Sequence, residues 1–330
     1  MVKYFNSTHR TVAVIASAVV LTLAGCNAPA DKKSEPAASA TRDTRPATEE
    51  RSTPIKTGYA EVDGLRIYYQ VHGDLNSGKT PLFVLHGSFM TAEAMAPLVE
   101  PFAATRPVIV IDQRGHGRTG DAPGPITYER LADDAAGVLE ALNVPAADVL
   151  GYSMGGTVAI AMAVRHPDRV GKQVILSGPS RREGWHPEAL EGMGEWTPEM
   201  FAGTPLEAEY KRLSPTPDAF PALIEDLKEM EERPYGWSED EVRAIDDKTM
   251  IVIGDADGVV LEHAVELFKL RGGADAELAA KGVMTDVPRT RLAVLPATSH
   301  VGMMARAQLI ADLVTPFLED TVPPMPEGFL

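Results

Sequence analysis

The apolar residues of this chain come in short runs, and their spacing switches between the strand and the helix period. Residues 59–62 and 65–71 flank Asp63-Gly64, a dipeptide that closes a two-residue hairpin because both positions tolerate positive φ. Pro-Leu-Phe-Val-Leu-His at 81–86 and Val-Ile-Val-Ile-Asp at 108–112 are apolar without alternation, as in strands buried on both faces. A helix is predicted over about 128–142. Asp148-Val149-Leu150 reads as the next short strand, and Thr-Val-Ala-Ile-Ala-Met-Ala-Val at 157–164 as a buried helix. Gln-Val-Ile-Leu at 173–176 and the segments 249–253 and 291–295 complete the set of strands. Strands that alternate with helices build a mostly parallel sheet covered on both faces. The prediction is an α/β fold with a central sheet of about eight strands and the opening hairpin as its antiparallel edge.

Residues 181–247 break this rhythm. They hold three Trp, two Tyr, two Phe and many Pro and acidic residues, with no strong strand. Short helices fit better, so the segment is expected to form an inserted cap between the strands at 173–176 and 249–253. Its aromatics (Trp185, Trp196, Phe201, Tyr210, Phe220, Tyr235 and Trp237) either line a pocket or pack as the cap's own core, packing being the commoner fate. Trp185, Trp196 and Trp237 are the pocket candidates. Gly272-Gly273 opens a long, charged connection, about 272–289, to the last strand.

The N-terminus has a different character. Lys3 and Arg10 precede an apolar run at 11–23 that is too short to span a bilayer as a helix. Leu23-Ala24-Gly25-Cys26 follows it directly, and a short apolar region ending in small residues reads as a signal peptide. The tetrapeptide resembles a bacterial lipobox, with Cys26 as the acylated first residue of the mature chain. Cys26 is the one cysteine, so it has no disulfide partner within the chain. Residues 26–57 are rich in Ala, Pro, Ser, Thr, Lys and Glu and cannot bury enough surface to fold. The expected organisation is a signal at 1–25, a tether at 26–57, a core at 58–180 and 248–320, and the cap at 181–247. The expected location is the bacterial cell envelope, with the membrane touched through the lipid anchor alone.

Net charge is -16, and loss of Lys3 and Arg10 with the signal takes it to -18. Such an acidic chain argues against nucleic acid or anionic lipid as a partner. The eight His and single Cys show no H-E-x-x-H and no paired cysteines, so no metal site is expected.

Gly151-Tyr152-Ser153-Met154-Gly155-Gly156 lies where a strand turns straight into a helix. A serine in that corner is held in a strained turn with its hydroxyl exposed, and the flanking glycines let strand and helix pass closely. On the pentapeptide alone Ser153 reads equally as a helix N-cap. The rest of the chain supplies what a nucleophilic serine needs. His9 falls in the signal, His72 on a strand, His166 at a helix end, His186 in the cap and His263 on a helix. His86, His116 and His300 remain, in loops near strand ends. His300 follows the last strand in Leu-Pro-Ala-Thr-Ser-His at 295–300, and catalytic groups gather at the carboxyl ends of parallel strands. His300 is therefore the expected base. Its carboxylate partner is expected in Gly254-Asp255-Ala256-Asp257-Gly258, where either aspartate fits: one to cap the turn and the helix behind it, one to face the histidine. Two amides are expected to receive an oxyanion, those of Met154 at the helix N-terminus and Ser88 in His86-Gly87-Ser88-Phe89, with Phe89 behind it. His86 itself is expected to organise that loop.

These segments resemble the α/β-hydrolase superfamily, in its capped, single-domain esterase and lactonase-like branch. The resemblance covers about residues 58–320. It rests on His86-Gly87, Asp112-Gln113-Arg114-Gly115-His116-Gly117, the stretch around Ser153, Gly254 to Asp257, and His300. In the family the acid follows glycine as G-x-x-D, which implies Asp257 rather than Asp255. The chain order Ser153, Asp257, His300 is also that of the family. Arg-Gly-His-Gly is a family loop feature, which implies a scaffold role for His116. Haloalkane dehalogenases and epoxide hydrolases carry aspartate at the elbow and so differ from Ser153. The implied activity is hydrolysis of a small or medium-sized ester or lactone through an acyl-serine, with no cofactor. C–C bond hydrolysis, cofactor-free perhydrolysis and a non-catalytic binding role on the same scaffold are the rival readings. The cap matches no specificity class.

Overall fold

The computed structural model describes residues 55–322 apart from Val283 and Thr285. The expected signal, Cys26 and all but the last three residues of the expected tether lie outside the described residues. The chain opens with the hairpin β1 (Ile55–Val62) and β2 (Leu65–His72), turned at Asp63 and Gly64 with φ of 46° and 79°. There follow β3 (Leu82–Leu85), α1 (Ala96–Ala103), β4 (Val108–Ile111), α2 (Tyr128–Ala141), β5 (Ala147–Tyr152), α3 (Met154–Arg165) and β6 (Val170–Leu176). Five helices come next: α4 (Pro187–Gly194), α5 (Pro198–Phe201), α6 (Pro205–Leu213), α7 (Phe220–Glu232) and α8 (Glu239–Ala244). The chain then returns through β7 (Lys248–Ala256), α9 (Leu261–Leu270), α10 (Ala276–Ala280), β8 (Thr290–Ser299) and α11 (Ala307–Leu318).

The eight strands make one sheet in the order β1-β2-β4-β3-β5-β6-β7-β8. β2 pairs antiparallel with β1 and with β4, and the remaining pairs are parallel. Side chains alternate across the pleat, so each apolar strand feeds two cores. Phe83, Leu85, Ile109, Ile111, Val149, Ile175 and Ile251 meet α2, α3 and α9 on one face. Leu82, Val84, Val108, Val110, Leu150, Val174 and Val252 meet α1 and α11 on the other. Each of these large side chains contributes roughly 1.5–3 kcal/mol when fully buried. That double burial is why the strands carry no alternation.

Four elements extend past their expected boundaries. β1 begins at Ile55, inside the segment expected to be a tether, because Ile55, Lys56 and Thr57 pair with His72, Val71 and Gln70. That extension is made by backbone hydrogen bonds and not by burial, so composition does not show it. β7 and β8 run past 253 and 295 to Ala256 and Ser299, pairing through a register shift after Gly254. α3 starts at Met154, directly after Ser153, and not at Thr157.

The helices α4–α8 lie between β6 and β7. α7 buries Phe220, Leu223, Ile224, Leu227 and Met230 along one stripe, and Glu231 lies on the same side. Backbone bonds tie the entry to this segment to the loop after β7: His186 N–H donates to Gly258 O at 2.9 Å and Val260 N–H to Gly184 O at 2.8 Å.

Candidate active site

Ser153 occupies the corner between β5 and α3 at φ 56°, a left-handed conformation that costs a non-glycine residue about 1–3 kcal/mol. The surrounding backbone enforces it. Ser153 N–H donates to Leu176 O at 2.8 Å, and Ser153 O accepts from Gly156 N–H at 2.8 Å. A Cβ on Gly151 would lie 1.9 Å from Gly155 O, and one on Gly155 2.2 Å from Leu85 O. Only glycine lets the strand, the helix and β3 approach this closely.

His300 follows β8 and meets both partners expected for it. Its Nε2 is 2.8 Å from Ser153 Oγ, and its Nδ1 is 2.7 Å from Asp257 Oδ1. An ionised carboxylate only accepts, so Nδ1 carries the hydrogen and Nε2 is left to accept from the Ser153 hydroxyl. The Tyr152 hydroxyl donates to His300 O at 2.9 Å, and the two rings stack at 5.5 Å.

The Asp257 side chain is fully buried, and its carboxylate is held by four donors among the described residues. Besides His300, Ser177 Oγ–H donates to Oδ2 at 2.5 Å, Gly254 N–H to Oδ2 at 3.4 Å, and Val259 N–H to Oδ1 at 3.1 Å. Burial pushes this carboxyl up, but His300, Ser177 and the Val259 amide outweigh it and leave it below the ordinary range. Asp255 points elsewhere. Its carboxylate accepts the amides of Ala297 and Thr298 at 3.0 and 3.1 Å, which hold it low as well. The expected division of labour therefore changes. Asp257 takes both the histidine and the turn, through Val259, while Asp255 braces the strand that leads to His300.

The 86–89 loop lies against the serine. A Cβ on Gly87 would come 3.2 Å from both Ser153 Cβ and the Tyr152 ring. Phe89, at φ 63°, donates its amide to His116 Nε2 at 3.2 Å. The amides of Ser88 and Met154 donate to no protein group among the described residues. His86 Nε2 accepts from Gln113 N–H at 2.9 Å, and Gln113 Nε2 donates back to His86 O at 2.7 Å. Asp112 joins the same scaffold by accepting from Ala92 and Arg118 N–H at 2.6 and 2.7 Å. His86 and His116 are buried edge to face at 4.9 Å, and burial pulls both below the ordinary imidazole range, His116 to about 4. Both are therefore neutral scaffold groups at neutral pH.

The aromatics divide. Trp185 pairs its backbone with Val259, just past Asp257, and sets its ring edge-on to His300 at 5.2 Å. Trp196 and Phe201 lie against Phe89 at 5.1 and 4.9 Å, and Phe201 continues through Phe220 to Tyr210 as the interior of the cap. Trp237 joins none of these rings. It donates its amide to Ser180 O and packs on the core.

Three side chains at the site were not singled out from the sequence. Ser177 sits at a strand end with φ 53°, a signal visible only in coordinates. Tyr152 is inside the elbow, but His300, which its hydroxyl reaches, lies 148 positions further along the chain. Glu231 had a legible signal: an acid four positions after Leu227 on the apolar stripe of α7.

A family model described as alpha/beta hydrolase fold matches residues 80–236. The chain is 38% identical over 122 residues to the putative carbamate hydrolase RutD of Caulobacter segnis, covering 36% of this chain and 45% of that protein. It is 43% identical over 101 residues to the 2-hydroxymuconate semialdehyde hydrolase of Pseudomonas sp. strain CF600, covering 29% of this chain and 35% of that protein. The chain thus spans less than half the length of these curated relatives. Among solved structures, Est816, described as an N-acyl homoserine lactone degrading enzyme, is 26% identical, with 78% of this chain and 99% of that one covered and a TM-score of 0.59.

Proposed function

Because the chain carries the α/β-hydrolase fold, we propose that it is a serine hydrolase of small or medium-sized carboxylic esters or lactones. The observation that carries this reading is the line of hydrogen bonds from Ser153 Oγ through His300 to Asp257, at 2.8 and 2.7 Å. In the proposed reaction His300 Nε2 takes the Ser153 proton as Oγ attacks the carbonyl. Asp257 holds the imidazole in the required tautomer and stabilises its positive charge. The amides of Ser88 and Met154 receive the oxyanion, each worth roughly 3–4 kcal/mol in the transition state. His300 then protonates the leaving oxygen, and a water deprotonated by His300 releases the acid.

The likeness to Est816 along nearly all of that chain supports the lactone branch of this reading. The 43% local identity to a semialdehyde hydrolase favours C–C bond hydrolysis as the second reading. The same proposal places the domain on a membrane of the cell envelope through an acylated Cys26.

The test is turnover of a p-nitrophenyl ester series, from acetyl to long acyl, and of a lactone series, by full-length protein and its Ser153→Ala variant. Ser153-dependent ester or lactone turnover supports the proposal. A serine that reacts with a fluorophosphonate yet cleaves only diketones would replace it by the second reading. Perhydrolysis is scored by repeating the assay with peroxide.

A further inference from the structure

Glu231 is a buried acid with an oxygen that has no hydrogen-bond partner among the described residues. The residue is 4% exposed, on the apolar stripe of α7. Its Oε1 accepts from the Tyr128 hydroxyl at 2.7 Å, which joins the cap to α2 of the core. Its Oε2 is also buried and makes no hydrogen bond to any described residue. A buried oxygen left without a donor carries the full cost of its lost hydration. A ligand that brings a donor removes that cost.

Contacts lead from this carboxyl to the serine site. The Tyr128 ring packs on Tyr235 at 4.4 Å, the Tyr235 hydroxyl accepts from Trp185 Nε1–H at 2.8 Å, and the Trp185 edge meets His300 at 5.2 Å. Burial raises the Glu231 carboxyl to about 7, while the Tyr128 hydrogen bond and the charges of Arg182 and His300 oppose the rise. Arg182 is fixed beside it, donating from Nε to Glu231 O at 2.7 Å. Arg182 therefore already supplies a positive charge. What Oε2 lacks is a hydrogen. An ammonium group would meet Arg182 and the imidazolium that forms during the proposed reaction, so a neutral donor fits better.

We propose that Glu231 Oε2 accepts a hydrogen bond from a neutral donor on the substrate, a hydroxyl or an amide N–H. The site would then select donor-bearing esters or lactones over plain alkyl ones. This rests on the hydrolase reading of Ser153 and adds a specificity-determining residue to it.

The test uses matched substrates that differ in the donor: ethyl lactate and ethyl propionate, ethyl N-acetylglycinate and ethyl levulinate, hydroxyethyl butyrate and propyl butyrate. In the intact protein, assayed at a pH well above 7 so that the Glu231 carboxyl is ionised, kcat/KM should favour the donor member of at least one pair, on the order of ten- to a hundredfold for a hydrogen bond to a charged acceptor. Glu231→Met should bring that ratio close to one. Tyr128→Phe removes the cap-to-core hydrogen bond but keeps the acceptor, and should retain the preference. If Glu231→Met does not fold, the Tyr128→Phe/Glu231→Met double variant, which removes both partners together, takes its place. A ratio that survives the loss of Glu231, both members falling together, would show a structural role and overturn the proposal. So would the absence of any donor preference in the wild type. The same pairs are also measured by equilibrium binding to Ser153→Ala protein, and Ser153 by fluorophosphonate labelling. An unlabelled serine with a Glu231-dependent binding preference would sink the hydrolase reading alone. A labelled serine with unchanged ratios would sink this inference alone.

Discussion

Asp255 holds Thr298 by its backbone: the carboxylate accepts the Thr298 amide at 3.1 Å, just ahead of His300. Asp257, close by in sequence, instead reaches the His300 ring at 2.7 Å. One aspartate positions the segment and the other touches the imidazole. Asp257→Asn should therefore lower kcat on a p-nitrophenyl ester by roughly 10⁴, by favouring the wrong tautomer. Asp255→Asn should cost about tenfold or less, and should lower the melting temperature because two backbone donors lose a charged acceptor. Steady-state rates and melting curves of the two variants check the ranking. The reverse order of rates would move the acid to Asp255.

The φ of 56° at Ser153 separates function from stability at one position. Ser153→Ala and Ser153→Gly should each reduce turnover by a factor on the order of 10⁶ if the serine is the nucleophile. Alanine keeps the left-handed strain, whereas glycine relieves it. Ser153→Gly should be the more stable of the two by about 1 kcal/mol, read from urea midpoints. Equal midpoints would mean that the corner is not strained.

His116 should make the fold acid-sensitive in a defined window. Its buried Nε2 accepts the Phe89 amide, and burial lowers its pKa from 6.5 to about 4. Between those values the unfolded chain binds a proton that the folded chain excludes, so stability falls as pH drops through the window and levels off below it. The full effect is about 3 kcal/mol. His116→Gln should make this part of the stability curve shallower, with His86 and His263, also depressed by burial, still contributing there; urea unfolding at neutral pH and near pH 4 measures it. An unchanged slope would place the acid sensitivity on other groups.

Cys26→Ala should abolish acyl attachment and move the protein from the membrane to the soluble fraction of its host. Metabolic labelling with a fatty acid reads the first, and fractionation the second. Retained label would mean that the lipobox reading fails.

How much of this was legible along the chain depends on the range of the interactions. The strands at 81–86 and 108–112 were legible because both their faces are buried, which leaves unbroken apolar runs. The elbow was legible because the close passage of β5, α3 and β3 admits only glycine at 151 and 155, a constraint written in neighbouring residues. The strand ends at Ile55, Ala256 and Ser299 were not, since backbone pairing alone sets them.

The sequence by itself determined the α/β alternation, the turn at Ser153, His300 as a loop histidine after the last strand, and Asp255 or Asp257 as its partner, the choice of Asp257 coming from the family resemblance alone. Only the tertiary structure decided the strand order, the seat of Trp185 against His300, the separation of Trp237 from the other aromatics, and the turning of Glu231 toward Tyr128. The physical reason is that side chains far apart in the chain meet only after burial of the two apolar faces has closed the sheet and seated α7, and no local pattern records which partner each one finds.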